Sequence, residues 1–362
     1  MPRRKTDVKN KHVKPRGSRT QSKLKEKEIH ALGAVDLHFH GAFGIDLMTA
    51  DSAQMDLLSK LMWENGIAAF CPTTLSAPAA VLAEAVGRIG NWIQSKSAPG
   101  AVPLGIHLEG PFIDSGACGA HPRDTIRKLN FLELENLWKA SQNTLKILTV
   151  APEILTKSEL NQLVKWTSER KISLSLGHSK ATEIQASVAF DAGFRGVTHA
   201  WNALPFHHRA PGPLGAALGR KDVYLELILD QVHVSQSVIR LSRKLHSASQ
   251  TCFISDCVPA AATRVGSQHS FGPLTIQFKD GACRLPDGSL AGGGRLLPEA
   301  FGRWLSTEAE QTGRKASEIL RESLESLTTA PLRAIGVSPQ VLIKRKIRWK
   351  LDKLGNLKVF SN

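Results

Sequence analysis

"VDLHFHG", residues 35–41, alternates apolar residues with two histidines and ends in a glycine. Side chains two residues apart in a β-strand point to the same side, about 6–7 Å from each other. His38 and His40 therefore share one face of a strand, and the apolar residues occupy the other. The pattern predicts a buried strand whose imidazoles are able to reach one metal ion; a hydrogen-bonded pair at a strand end is the alternative.

Working outward from this strand, short apolar or β-branched runs alternate with stretches of helical spacing. Eight such alternations are typical of a (β/α)8 barrel, and a doubly wound sheet is disfavoured because no G-x-G-x-x-G follows the first run. We expect the barrel over residues 31–336 and a small β-hairpin over 337–362. The eight runs are 35–41, 68–75, 103–110, 145–152, 172–179, 196–202, 224–230 and 251–257.

The net charge of +15 is concentrated at the two ends of the chain. Residues 1–28 contain eleven Lys/Arg and three acidic residues, and residues 344–358 contain seven and one, so the body between them is close to neutral. Residues 1–30 have almost no large apolar side chains and are predicted to be a basic, disordered tail. The basic ends could contact nucleic acid or another polyanion, but they do not define the function of the body.

Cysteine usage and hydropathy favour a cytoplasmic protein without a membrane partner. The five cysteines are odd in number and form no C-x-x-C pair, which predicts reduced thiols. No apolar run approaches the roughly 20 residues that a membrane span requires, and the basic N-terminal sequence offers no apolar segment for a secretory signal.

Nearly every candidate strand ends in a residue that can bind a metal or carry a proton. The carboxyl ends of barrel strands meet at one mouth, which is where barrel enzymes place their active sites. Each residue alone has a structural alternative, but six of eight strand ends supplying such residues by chance is improbable. The strand-end residues are His38, His40, His107, Glu109, His178, His199, Asp230, His233 and Asp256.

Glu109, His178 and His199 match a three-ligand site for a divalent ion that leaves one position open for water. Zn²⁺ suits these ligands, although imidazole and carboxylate also accept Fe²⁺ and other ions. A separate carboxylate must move the proton of the water, and Asp256 at the last strand is the candidate general acid/base. Such a site hydrolyses amides, cyclic amides, amidines or phosphoesters.

The motifs, taken together, resemble the N-acetylglucosamine-6-phosphate deacetylases of the amidohydrolase superfamily. The resemblance runs from about residue 33 to residue 336, and it implies an amidohydrolase-type barrel with a reduced β-rich accessory segment formed from the chain ends. Its motifs are HLEGPF (107–112), GHS (177–179), THAWNA (198–203), HHRAPG (207–212), VHV (232–234), SD (255–256) and LAGG (290–293).

The resemblance also implies roles for individual residues. Glu109, His178 and His199 would hold the metal, Asp256 would be the general acid/base, and His233 would polarise the acetyl carbonyl. The remaining residues would bind the substrate, with the phosphate held by an arginine that reaches over from a neighbouring subunit, which implies a homodimer. These substrate residues are Ala120, Asn202, Ala203, Arg209, Leu290, Ala291 and Gly292.

The opening histidines distinguish two kinds of family member. Some relatives keep His-x-His on the first strand and hold a second metal, so His38 and His40 imply one or two ions per chain. Ala210 stands where the family usually has an acid, and Gln231 also departs from the family pattern. Despite these two departures, the resemblance as a whole implies hydrolysis of N-acetylglucosamine 6-phosphate to glucosamine 6-phosphate and acetate. Another N-acyl hexosamine phosphate is the alternative, and a non-catalytic polyanion-binding barrel is a more distant one.

Overall fold

Eight parallel strands form the centre of the protein, which is seen in a computed structural model that describes residues 27–95, 98–352 and 355–361. Each predicted run overlaps one of these strands, so the predicted barrel is confirmed. In chain order they are β1 (Ala34–Phe39), β2 (Ile67–Thr74), β3 (Ile106–Glu109), β4 (Leu145–Val150), β5 (Ser173–Leu176), β6 (Gly196–Val197), β7 (Tyr224–Ile228) and β8 (Thr251–Ile254).

The strands pair in sequence order from β1 to β8, and a short parallel segment, Val102–Pro103, adds to β2. The first and last strands meet where both end. The Asp256 amide donates to the His38 carbonyl over 3.1 Å, and the His40 amide donates to the Cys257 carbonyl over 2.8 Å. These bonds join the two sides of the sheet at the mouth of the barrel. Gly41 then turns the chain away at φ 156°, where a Cβ would lie 2.1 Å from the Ile45 carbonyl oxygen.

Helices follow the strands and cover the outside of the barrel. Capping boxes begin three of them, with Asp51 bonded to Gln54, Thr156 bonded to Glu159 and Thr182 bonded to Gln185, so local sequence determines where these helices start. The helices are α1 (Ser52–Glu64), α2 (Ala79–Ser95), α3 (Phe131–Ala140), α4 (Lys157–Arg170), α5 (Glu183–Ala192), α6 (Gly212–Ala217), α7 (Gln236–Leu245), α8 (Leu297–Thr312), α9 (Ala316–Leu327) and α10 (Thr329–Ala334). Across the described residues, none has the length and apolarity to cross a bilayer.

A four-stranded antiparallel sheet is inserted after β8 and lies beside the barrel mouth. Its strands are β9 (Gln268–Phe271), β10 (Leu274–Lys279), β11 (Ala282–Arg284) and β12 (Leu290–Gly293). The Gly293 amide donates to the Asp256 carbonyl over 2.7 Å, which ties the end of β12 to the end of β8. The insertion thereby brings residues 290–293 next to the strand-end side chains.

The two ends of the chain form a separate three-stranded antiparallel sheet, here called the end sheet: Lys27–Leu32, Lys346–Leu351 and Leu357–Ser361. The second and third strands form the predicted C-terminal hairpin. The first strand begins inside the stretch assigned to the tail, because Ile29 and Ala31 pack against the core beside Trp349 and Ile347. Ordered structure thus begins before residue 31, residues 1–26 of the predicted tail lie outside the described residues, and the domain boundaries stay predictions.

Candidate active site

The predicted ligands Glu109, His178 and His199 converge at the barrel mouth. Glu109 Oε1 lies 3.1 Å from His178 Nε2 and 3.0 Å from His199 Nε2, and the two Nε2 atoms are 2.9 Å apart. All three side chains are buried. The structure therefore gathers one carboxylate oxygen and two imidazole nitrogens from β3 and from the ends of β5 and β6.

An unusual backbone conformation orients the side chains of His178, His199 and Asp256. His178, His199 and Asp256 adopt φ values of 47°, 30° and 53°, in the left-handed region that residues other than glycine rarely occupy. Each residue lies just beyond the end of its strand, where the unusual φ turns the side chain toward the mouth. Strained backbone of this kind is concentrated at functional sites, and here it supports a functional role for all three residues.

Hydrogen bonding of His178 tests whether this cluster suits a cation. His178 Nδ1 lies 2.8 Å from the Ala117 carbonyl oxygen, an acceptor, so Nδ1 carries the proton and Nε2 directs a lone pair toward Glu109. Burial alone would raise the pKa of Glu109, but the His38 charge and the hydrogen bond from His121 hold it well below its usual range. An ionised carboxylate and a lone pair facing each other in a buried site require a cation between them, so the residues fit a divalent metal.

The two histidines of β1 join the same carboxylate. His38 Nε2 lies 3.3 Å from Glu109 Oε1, His40 Nε2 lies 3.3 Å from Glu109 Oε2, and the two Nε2 atoms are 3.1 Å apart. Glu109 thus lies between the β1 pair and the pair formed by His178 and His199. This arrangement fits a second ion that shares Glu109.

Glu226 in the middle of β7 is a site residue that the sequence analysis missed. Its Oε2 lies 3.3 Å from His38 Nδ1 and accepts the His199 amide over 3.2 Å. A carboxylate behind a histidine fixes which nitrogen carries the proton and turns the other nitrogen toward a metal. The available signal was an acid inside the apolar run YLELI, since a buried strand rarely carries an unpaired charge.

His121 is a second residue that the sequence analysis missed. The Ser76 amide donates to His121 Nδ1 over 3.1 Å, so the proton of the neutral ring is on Nε2, which lies 3.2 Å from Glu109 Oε2. Burial lowers the pKa of His121 to about 4, which keeps the ring neutral. His121 therefore donates to Glu109 in this arrangement.

Asp256 lies beside the β1 pair, with Oδ1 3.3 Å from His38 Nε2 and 3.5 Å from His40 Nε2. Burial would raise its pKa, but the His38 charge and a hydrogen bond from His40 lower it. The carboxylate is ionised and is able to accept a proton. Its position next to the cluster supports the predicted role as general acid/base, which stays a prediction.

Asp230 forms a hydrogen bond with His233 just after the end of β7. Asp230 Oδ2 lies 2.6 Å from His233 Nδ1, and its Oδ1 accepts the Val232 and His233 amides over 2.9 Å each. Burial would lower the pKa of His233, but the bond to Asp230 and the Asp230 charge raise it. This imidazole is therefore a hydrogen-bond donor held at the wall of the site.

A cavity of about 320 Å³ opens onto these groups, a volume in the range of sites for small molecules. Seven of the eight predicted substrate residues line it together with Asp256 and the predicted ligands. Arg209 does not line it and is exposed on the loop before α6. The predicted residues on the cavity wall are Ala120, Asn202, Ala203, His233, Leu290, Ala291 and Gly292.

Comparison with curated proteins finds two relatives with similar sequence identity to this chain. An N-acetylgalactosamine-6-phosphate deacetylase of Escherichia coli O157:H7 is 34% identical over 269 residues, 74% of this chain and 70% of the relative. An N-acetylglucosamine-6-phosphate deacetylase of Vibrio furnissii is 32% identical over 296 residues, 81% of this chain and 73% of the relative. The chain belongs to the N-acetylglucosamine-6-phosphate deacetylase family. The resemblance found in the sequence is confirmed, and the protein is a hydrolase family member that acts on an amide.

Solved structures of this deacetylase family share the barrel. The N-acetylglucosamine-6-phosphate deacetylase of Thermotoga maritima superposes with a TM-score of 0.75 at 31% identity, over 91% of this chain and 85% of that one. The Mycobacterium smegmatis enzyme, at 24% identity and a TM-score of 0.80, supports the fold over 91% of this chain and 85% of that one. No protein-family model matches the chain.

Proposed function

We propose that this deacetylase hydrolyses N-acetylglucosamine 6-phosphate to glucosamine 6-phosphate and acetate. The observation that carries the proposal is the convergence of Glu109, His178 and His199 beside an ionised Asp256 at the base of the cavity. A divalent ion held by these three ligands, Zn²⁺ or Fe²⁺, would supply an acidified water and charge stabilisation. His38 and His40 would hold a second ion that shares Glu109.

The residues of the chain account for the movement of the proton. Asp256 accepts a proton from the attacking water as the new C–O bond forms at the acetyl carbon. It then delivers this proton to the amide nitrogen as the C–N bond breaks, so that acetate and the amine are released. His233, held by Asp230, donates a hydrogen bond to the acetyl oxygen, where negative charge develops.

Recognition of the phosphate completes the proposal. Asn202 and Ala203 lie on the cavity wall and would bind the phosphate together with Arg209, whose guanidinium suits a dianion. Arg209 is exposed and does not line the cavity of its own chain, so its contact with substrate would come from a neighbouring copy in a homodimer. We place the enzyme in the cytoplasm as part of the same proposal, because all five cysteines are free.

Acetate release from N-acetylglucosamine 6-phosphate and from unphosphorylated N-acetylglucosamine tests the proposal. We expect a kcat/KM for the phosphorylated sugar at least about 100-fold higher, since only this sugar offers the dianion. Equal kcat/KM values for the two sugars would contradict the assigned substrate class.

The galacto epimer is a second candidate, because a relative 34% identical to this chain is named an N-acetylgalactosamine-6-phosphate deacetylase. The two sugars differ in the orientation of one hydroxyl group. Measuring kcat/KM for both 6-phosphates under the same conditions distinguishes them. A higher value for the galacto sugar would change the assigned substrate and leave the chemistry in place.

A further inference from the structure

The two basic segments of the sequence meet on the end sheet. Residues 1–26 carry ten Lys/Arg and two acidic residues, and they lead directly into the strand Lys27–Leu32. That strand pairs along its whole length with Lys346–Leu351, which lies in the basic segment at the other end of the chain. Folding therefore places Lys346, Arg348, Lys350 and Lys358 in the same sheet as the strand that follows residues 1–26 in the sequence.

The end sheet has an apolar inner face and a basic outer face. Ile347 and Trp349 are fully buried against the core, so the residues that alternate with them face outward. In the sequence of the three strands, Glu28 is the one acidic residue, and it lies 3.8 Å from Arg348. The residues of this outer face are Glu28, His30, Leu32, Lys346, Arg348, Lys350, Lys358 and Phe360.

An aromatic ring lies among these cations. Phe360 is 38% exposed, pairs with Arg348 across the strands, and has the Arg348 guanidinium 5.2 Å from its ring centre. Cations at alternate positions of one strand repeat about every 6.8 Å. A row of cations beside an exposed ring is the arrangement by which proteins bind the backbone of a single-stranded nucleic acid while stacking a base.

We propose that the outer face of the end sheet binds single-stranded RNA. The cations would pair with successive phosphates, and Phe360 would stack on one base. A membrane is a poorer fit, because the face offers one exposed aromatic residue and no apolar stripe to insert between lipids. No residue of the end sheet lines the catalytic cavity, so binding of RNA is separate from the deacetylase reaction.

Fluorescence anisotropy of the full-length enzyme with a labelled oligouridylate of about 16 nucleotides tests the proposal. The variant Lys346→Gln/Arg348→Gln/Lys358→Gln should bind about tenfold more weakly at about 50 mM KCl. Its slope of log affinity against log salt should be smaller by about 2, because three phosphate contacts are lost. Phe360→Ala should weaken binding about fivefold with an unchanged salt slope.

A matched control removes the same charge elsewhere on the surface. Lys157→Gln/Lys165→Gln/Lys221→Gln changes three exposed lysines of the barrel body and should leave RNA affinity within about twofold of the parent. Both triple variants should keep the parent kcat/KM for the acetylated sugar. Absence of RNA binding by the parent, equal losses in the two triple variants, or equally tight binding of duplex DNA or phosphatidylserine vesicles would each overturn the proposal.

Discussion

At the scale of single residues, Glu109 organises the site because its two oxygens serve different neighbours. Oε1 lies within 3.3 Å of His38, His178 and His199, whereas Oε2 lies within 3.3 Å of His40 and His121. A carboxylate that shares its oxygens in this way can bridge two ions or hold one. Asp256 has a different proposed role, because it lies beside His38 and His40 and would accept a proton.

The variant Asp256→Asn tests that difference. The amide cannot accept the proton of the attacking water, so we expect kcat to fall by about 10²–10⁴-fold. Metal content, measured by mass spectrometry, should stay at the parent value, because the proposed ligands Glu109, His178 and His199 are intact. A near-normal kcat in the variant would show that another group carries the proton.

The pair formed by Asp230 and His233 leads to a prediction on pH. The raised pKa keeps His233 protonated, so its contribution to kcat/KM is complete below that pKa and is lost as pH rises through it. Asp230→Asn removes the stabilising charge, and the alkaline limb of the pH profile should move to lower pH by about one unit or more. Asp222→Asn, which changes an exposed carboxylate ahead of β7, is the control and should leave the limb in place. An unchanged limb in Asp230→Asn would exclude His233 as the titrating donor.

Residue types predicted most of this site, but side-chain direction was not predictable. Strand-end position marked Glu109 and Asp256, since the strands of a barrel converge. The left-handed φ of His178 and His199 depends on the folded mouth and not on their neighbours in sequence. His121 was missed because it lies on a loop, outside any strand pattern, and reaches Glu109 only through the tertiary fold.

At the scale of elements, β1 and β7 together supply the residues proposed for a second ion. β1 contributes His38 and His40, and β7 contributes Glu226 behind the His38 ring. The carboxylate of Glu226 is buried where it contacts the His38 ring, and the two residues come from strands that lie two positions apart around the closed barrel. The β1 pair alone therefore does not describe the second site.

The double variant His38→Ala/His40→Ala should lose at most one metal equivalent and keep measurable deacetylation. The reason is that the proposed ligands Glu109, His178 and His199 are intact and would still hold an ion beside Asp256. Metal counting and kcat on the same preparation give the answer. Full inactivity in folded protein that still binds one ion would show that the β1 pair belongs to the catalytic site itself.

Glu226→Gln should also lower the metal content, because a neutral amide that can also donate replaces the carboxylate that fixes the protonated nitrogen of His38. A decrease of about 10–100-fold in affinity for the second ion is expected. Glu308→Gln, which neutralises another buried carboxylate on α8 far from the mouth, is the matched control and should bind ions like the parent. Equal metal affinity in both variants would exclude a positioning role for Glu226.

The elements themselves were largely readable from sequence, apart from long-range pairing. Alternating runs predicted all eight barrel strands, and alternation of apolar and charged residues predicted the C-terminal hairpin. The strand Lys27–Leu32 was assigned to a tail in part, because its order depends on pairing with Lys346–Leu351 at the far end of the chain. Local pattern carries no information about such a partner.

At the scale of the whole molecule, one chain brings together the proposed metal ligands and Asp256, but its cavity wall does not include Arg209, the residue proposed to hold the phosphate. Among the described residues on the cavity wall there is no lysine or arginine. Arg209 lies on an exposed loop after the phosphate-binding candidates Asn202 and Ala203. A second copy that presents Arg209 to this cavity would supply the missing charge, which links oligomeric state to specificity.

The variant Arg209→Ala tests this link. It should lower kcat/KM for N-acetylglucosamine 6-phosphate by about 10–100-fold and change the value for the unphosphorylated sugar by less than about twofold, since only the phosphate pairs with the guanidinium. Sedimentation of the parent should give a dimer. Equal losses on both sugars, or a monomeric parent with full phosphate preference, would contradict the shared site.

Metal reconstitution is the measurement that tests the central claim most directly. The protein is stripped with a chelator, titrated with Zn²⁺ or Fe²⁺, and assayed at each point for acetate released from N-acetylglucosamine 6-phosphate. The assigned ligands predict that stripping abolishes acetate release and that activity returns with the first ion bound per chain. Full activity in metal-free protein, or no activity in folded protein with its ions restored, would contradict the assignment of Glu109, His178 and His199 as the centre of a metal-dependent deacetylase.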